Sequence, residues 1–129
     1  MKKIILFMLV ISFFSCGCSV QKQNKKSLIN ISPKEVYSMI SDDNTYILDV
    51  RENDEYNSGH IKNSINIPLS TISEDIKKIV PIDSVVIVYC MSGNRSKMAG
   101  NMLLEIGYSK VYDMGGITNW NYEIVVEDW

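Results

Sequence analysis

Residues 85 to 96 read Val85-Val86-Ile87-Val88-Tyr89-Cys90-Met91-Ser92-Gly93-Asn94-Arg95-Ser96. The first five are β-branched or aromatic with no polar residue among them, the pattern of a strand buried on both faces of a parallel sheet. The polarity then changes within one residue. A small, polar and basic loop follows Cys90, and from Ser96 onward Ala99, Met102, Leu103 and Ile106 fall at helical spacing until Gly107 offers a left-handed stop. Strand, loop and helix in that order place Cys90 at the carboxyl end of a strand, where open parallel sheets bind their ligands.

The same alternation extends outward in both directions. Upstream, Leu28 to Ile31 is a short strand. Ser32-Pro33-Lys34-Glu35 supplies an N-cap, a first-turn proline and a capping-box glutamate for a helix to about Ser41. Tyr46 to Val50 is a second buried strand, residues 52 to 58 form a polar helical turn, and Ser64 to Ile67 is a strand closed by Pro68. Leu69, Ile72, Ile76 and Ile79 then predict an amphipathic helix that Pro81 terminates. Downstream, Val111 to Met114 is the last strand. Strands alternating with helices over about 85 residues predict an α/β fold, a parallel sheet with helices on both faces and right-handed crossovers.

The 129 residues hold one such domain and no second. Two lysines precede an apolar run from Ile4 to Phe14, followed by small residues and cysteines, the outline of a signal peptide over residues 1 to 15. The run is too short for a membrane span, which needs about 20 residues. It resembles a bacterial lipoprotein signal, with Cys16, or else Cys18, as the acylated residue; ordinary secretion without a lipid is the alternative. Residues 16 to 27 read as a tether and 28 to 129 as the domain. The expectation is an exported, lipid-tethered monomer of the cell envelope or periplasm. Lys22, Lys25 and Lys26 either rest against anionic lipid or belong to a solvated linker. The formal charge of −2 becomes −4 without residues 1 to 15, because Lys2 and Lys3 leave and no acid does, so nucleic acid is not expected as a partner.

Within the domain Cys90 is the only cysteine, so no internal disulfide forms. Single cysteines are commonly small buried hydrophobes. The polar, basic surroundings of this one suit a core poorly and a reactive thiolate well. Loop amides, a helix N-terminus and Arg95 are all expected to favour the anion and lower the thiol pKa below the free value of about 8.5.

Four groups of residues resemble the rhodanese family. They are Asp49-Val50-Arg51 with Glu55-Tyr56 and Gly59-His60-Ile61; Asn66-Ile67-Pro68; Cys90-x-x-Gly93-x-Arg95-Ser96; and Gly115-Gly116-Ile117 with Trp120. The resemblance runs from Leu28 to Trp120. It implies a three-layer α/β/α domain with a five-stranded parallel sheet. It also implies a Cys90 that cycles between thiol and persulfide, loaded by a small donor such as thiosulfate and discharged by cyanide or a thiol, with no metal or organic cofactor. Residue by residue, Cys90 is the nucleophile. Met91, Ser92, Gly93, Asn94, Arg95 and Ser96 form the substrate-binding loop. Asp49 and Arg51 either orient that loop or make a structural ion pair. His60 belongs to a structural turn, and Tyr89 and Trp120 are packing residues. Asn63-Ser64 replaces the usual Gly-Ala, and residues 121 to 129 lack the usual Gly and Pro.

Other activities fit this sequence less well. Phosphatases and arsenate reductases of the same fold place five residues between cysteine and arginine, after a histidine. Here four residues separate Cys90 from Arg95, and Tyr89 occupies the histidine's place. A sulfur relay or redox sensor fed by a protein persulfide partner uses the same thiol and differs only in its donor. A non-catalytic binding domain would not need both Cys90 and Arg95.

Overall fold

In the computed structural model, which describes Gly17 and residues 25–127, the chain forms a five-stranded parallel sheet in the order β1-β6-β5-β2-β4. The strands are β1 (Ile29–Asn30), β2 (Thr45–Asp49), β4 (Ser64–Asn66), β5 (Val85–Cys90) and β6 (Lys110–Gly116). Helices α1 (Pro33–Met39), α2 (Asn53–Asn57) and α3 (Asn94–Ile106) connect them. A two-stranded antiparallel sheet of β3 (His60–Ile61) and β7 (Ile124–Val125) lies at one end. The leader proposed for residues 1 to 15, and Cys16 and Cys18, lie outside the described residues.

The central strand β5 organises both layers. Its side chains alternate, so Val86, Val88 and Cys90 join one core with Leu48, Val50, Ala99, Leu103 and Tyr108, while Ile87 and Tyr89 join another with Val36, Ile47, Ile61 and Trp120. From Val86 to Cys90 no residue exceeds 1% exposure, and each large apolar side chain buried in this way contributes about 1.5–3 kcal/mol. The alternation has a functional result: Cys90 faces the layer that holds α3.

The capping box expected at Ser32 is present, with Ser32 Oγ accepting from the Glu35 amide at 3.3 Å and Glu35 Oε2 accepting from the Ser32 amide at 2.9 Å. The amphipathic helix expected from Leu69 to Ile79 is not. That segment makes two 3-10 turns, Leu69–Thr71 and Glu74–Lys78, separated by extended backbone at Ile72 and Ser73. Local side-chain bonds compete with the helix there: Thr71 Oγ1 donates to the Pro68 carbonyl at 2.7 Å and Ser73 Oγ accepts from the Asp75 amide at 3.3 Å. Ile72 and Ile76 still reach the core, whereas Ile79, expected on the same face, is 54% exposed.

Asn63, in the place of the usual glycine, adopts a left-handed backbone with φ 65°, a conformation asparagine tolerates better than most residues. Its side-chain amide donates to the Ile40 carbonyl at 3.0 Å. Residues 121 to 127 do acquire a role, because β7 pairs with β3 and brings Tyr122 and Ile124 beside the sheet's carboxyl end.

Candidate functional site: a thiol at a helix N-terminus

Helix α3 begins at Asn94, two residues earlier than Ser96, where the sequence pattern placed its start, with Gly93 as N-cap at φ 109°. The first intrahelical bond is from the Lys97 amide to the Gly93 carbonyl at 3.2 Å, so the Asn94, Arg95 and Ser96 amides lack helical partners. Cys90 stands against this end of the helix. The Gly93 amide donates to its Sγ at 3.0 Å, and the Ser96 hydroxyl braces the curl by donating to the Gly93 carbonyl at 3.0 Å. Burial at 1% exposure pushes the thiol pKa up. The Ser96 amide and hydroxyl and the Gly93 and Ser92 amides push it down, and they prevail, so the net shift is downward from the ordinary cysteine value.

Strand β6 fixes the loop from behind. Its register with β5 slips at Val88/Tyr89, leaving Met114 as an extra residue, and Gly115 at φ 84° turns the chain toward the loop. Gly116 then lies so near that an added methyl would overlap the Met91 carbonyl oxygen and come within 2.9 Å of Ser92 Cα. Of the two glycines, Gly115 is thus required by its left-handed backbone and Gly116 by its close approach to the loop.

The arginine of the loop is engaged elsewhere than expected. Arg95 Nη1 and Nη2 donate to Glu55 Oε2 and Oε1 at 2.7 and 2.8 Å, a two-pronged pair joining α3 to α2. Glu55 also accepts from the Glu52 amide at 2.9 Å. Chiefly through Arg95, its pKa is pushed down to about 2, and that of Arg95 is raised in turn. Sequence reasoning placed Glu55 in a motif without giving it a role; a contact spanning 40 residues of chain left no local signal.

Asp49 and Arg51 pair with each other, Arg51 Nε and Nη2 reaching Asp49 Oδ2 at 3.0 and 2.6 Å, with exposures of 0% and 3% for the two residues. Arg51 Nη2 also donates to the Gly59 carbonyl at 2.8 Å. Among the described residues neither side chain hydrogen-bonds to residues 91–96; of the two alternatives, the geometry matches the structural ion pair. His60 stacks on Tyr56 with ring centroids 3.7 Å apart, its Nδ1 lies 3.0 Å from the Tyr56 carbonyl oxygen, and it is built into β3. The Tyr89 hydroxyl accepts from the Ile61 amide at 3.1 Å, so this packing residue also ties β5 to β3.

Beside the loop opens a cleft of about 460 Å³. It is lined by apolar and aromatic side chains, among them Met91, Ile117, Trp120 and Tyr122, together with Arg51 and Glu55. Met91 and Asn94 are exposed, and Ser96 is fully buried. Among the described residues no cluster of three or more histidine, cysteine, aspartate or glutamate side chains gathers to hold a metal.

A known domain pattern, the rhodanese-like domain, matches residues 32–123. The chain belongs to the rhodanese-like domain family. This rhodanese-like domain is 39% identical over 80 residues to the adenylyltransferase and sulfurtransferase uba4 of Ogataea parapolymorpha, covering 61% of the chain and 21% of that relative. It is 30% identical over 121 residues to the tRNA uridine(34) hydroxylase of Chlamydia felis, covering 88% of the chain and 37% of that relative. The chain thus spans well under half the length of these curated relatives. Among solved structures, a rhodanese with anions from E. coli superposes with TM-score 0.61 at 34% identity, covering 64% of the chain and 99% of that structure. A rhodanese-related protein from Thermoplasma volcanium does so with TM-score 0.64 at 36% identity, covering 77% and 99%.

Proposed function

We propose that this rhodanese-like domain is a sulfurtransferase that carries a sulfane sulfur on Cys90. The observation that supports this best is the sulfur's position: at the carboxyl end of β5, hydrogen-bonded to the Gly93 amide at 3.0 Å and facing the unpaired amides of α3. A thiolate there attacks the outer sulfur of a donor such as thiosulfate. The donor's sulfur–sulfur bond breaks, sulfite leaves with the electron pair, and Cys90 becomes a persulfide. The same amides then hold the persulfide anion, until cyanide or a cellular thiol attacks the outer sulfur and the Cys90 thiolate departs. No step calls for a metal or an organic cofactor.

The sulfurtransferase named among the relatives adds support, as does the four-residue spacing of Cys90 and Arg95, which is one residue shorter than a phosphatase loop. The signal-like pattern of residues 1 to 15 supports a place for this activity in the cell envelope, with acylation at Cys16 or Cys18 as the proposed tether to a membrane. Intact-mass measurement of the reduced protein after saturating thiosulfate tests the chemistry. A gain of one cyanide-labile sulfur, absent from Cys90→Ser, is expected. No gain from thiosulfate or from a protein persulfide would overturn the proposal.

A further inference from the structure

The loop's one arginine is already paired, and this bears on which donors the thiol accepts. Glu55 engages both terminal nitrogens of Arg95, and the two side chains are exposed to similar extents, 28% and 32%. Their charges therefore cancel at the mouth of the site. Lys97, the next cation along α3, lines a separate groove with Lys25, Lys26 and Asp113. Arg51, which also lines the cleft, is paired with Asp49. Among the described residues, what remains for an incoming anion is the set of loop amides and the positive end of α3, a partial charge of about half a unit.

The charge requirement differs sharply between donors. Attack of the Cys90 thiolate on thiosulfate gathers three negative charges and releases the sulfite dianion. Attack on an organic thiosulfonate, R–SO2–S⁻, gathers two, transfers the same sulfur and releases a sulfinate monoanion. Amides and a helix end suit the second case; the first calls for a free cation.

Building on the sulfurtransferase reading, we infer that Glu55 is a specificity-determining residue. By neutralising Arg95 it tunes the Cys90 site toward singly charged organic sulfane donors and against inorganic dianions. The cleft beside the loop, with Met91, Ile117 and Trp120 on its wall, accommodates the organic remainder. Glu55 acts through Arg95 and touches no reacting atom. Its depressed pKa keeps it charged at all physiological pH values.

The test compares thiosulfate with methanethiosulfonate, a near-isostere carrying one charge fewer, with cyanide as acceptor. The two leaving groups differ in reactivity, so the informative quantity is the change in the ratio of kcat/KM values on mutation. Glu55→Gln retains an oxygen to accept from the Glu52 amide and frees the Arg95 charge. It is expected to shift the ratio toward thiosulfate by about fivefold to tenfold, mainly through the thiosulfate KM, with the shift shrinking as salt is added. The double variant Glu55→Gln/Arg95→Gln restores a net charge of zero and is expected to return the ratio close to that of the wild type.

A Glu55→Gln protein that loses activity toward both donors equally, or a double variant that keeps the shift, would show Glu55 to be a brace and overturn the inference. Wild-type protein that takes a sulfur from neither donor would instead sink the sulfurtransferase reading beneath it.

Discussion

Arg51 and Arg95 each end on a carboxylate through two nitrogens, yet the two pairs sit in opposite environments. Asp49–Arg51 is sealed beside the carboxyl end of β2, with 0% and 3% exposure and further bonds that tie Arg51 to Gly59 and the Asp49 backbone to Asn66. Glu55–Arg95 spans two helices at the rim, about a third exposed on each side. A sealed pair is locked by what its removal would leave behind, an uncompensated buried charge. A rim pair is screened by water and contributes little to stability, so its value lies in the charge that it presents. The same chemical group thus serves the fold in one place and the site in the other.

Asp49→Ala should have the largest effect. Arg51 would be left buried without its partner, and unfolding by denaturant should report a loss of about 3–5 kcal/mol. A loss below 1 kcal/mol would erase the contrast between the two pairs. Glu55→Gln, by the same measurement, should lose about 1 kcal/mol or less.

The pH dependence sharpens the contrast. Because the folded-state pKa of Glu55 is depressed from 4.5 to about 2, its contribution is complete above pH 4.5 and lost as pH falls from there to about 2. Wild-type stability should therefore fall more steeply across that window than that of Glu55→Gln. Equal slopes would mean that the rim pair is not formed in solution.

The third comparison concerns the thiol, whose lowered pKa arises chiefly from loop amides and Ser96. Ser96→Ala should raise the thiol pKa, read from the pH dependence of alkylation. The double variant Glu55→Gln/Arg95→Gln, which removes two opposite charges together, should move it less. The reverse order would return to Arg95 the direct role in thiolate stabilisation that the sequence suggested.

These contrasts also mark what a single sequence reveals. Strand β5 was legible because a continuous apolar run, bounded by a turn and a polar loop, leaves few alternatives for a segment of that length. From it the place of Cys90 and the parallel sheet followed. The segment from Leu69 to Ile79 misled because its apolar spacing is helical, whereas the hydroxyls of Thr71 and Ser73 bind local backbone and divide it. Strands β3 and β7 hold two residues each, too few to show a period. The partnership of Glu55 with Arg95 is a tertiary fact, since it depends on how the end of α2 meets the start of α3. Asp49 and Arg51, two residues apart, were visible as a pair in the sequence but not as a sealed one.

The concealment of Cys90 makes the site a sieve whose mesh depends on its own state. At 1% exposure the resting sulfur is screened from bulky electrophiles by its loop. In the proposed sulfurtransferase cycle, a persulfide on Cys90 sets its outer sulfur one bond, about 2.05 Å, farther along. Large alkylating reagents should therefore discriminate between the two forms of the protein more than small ones do, and a thiol too bulky to touch the empty site can still collect from the loaded one.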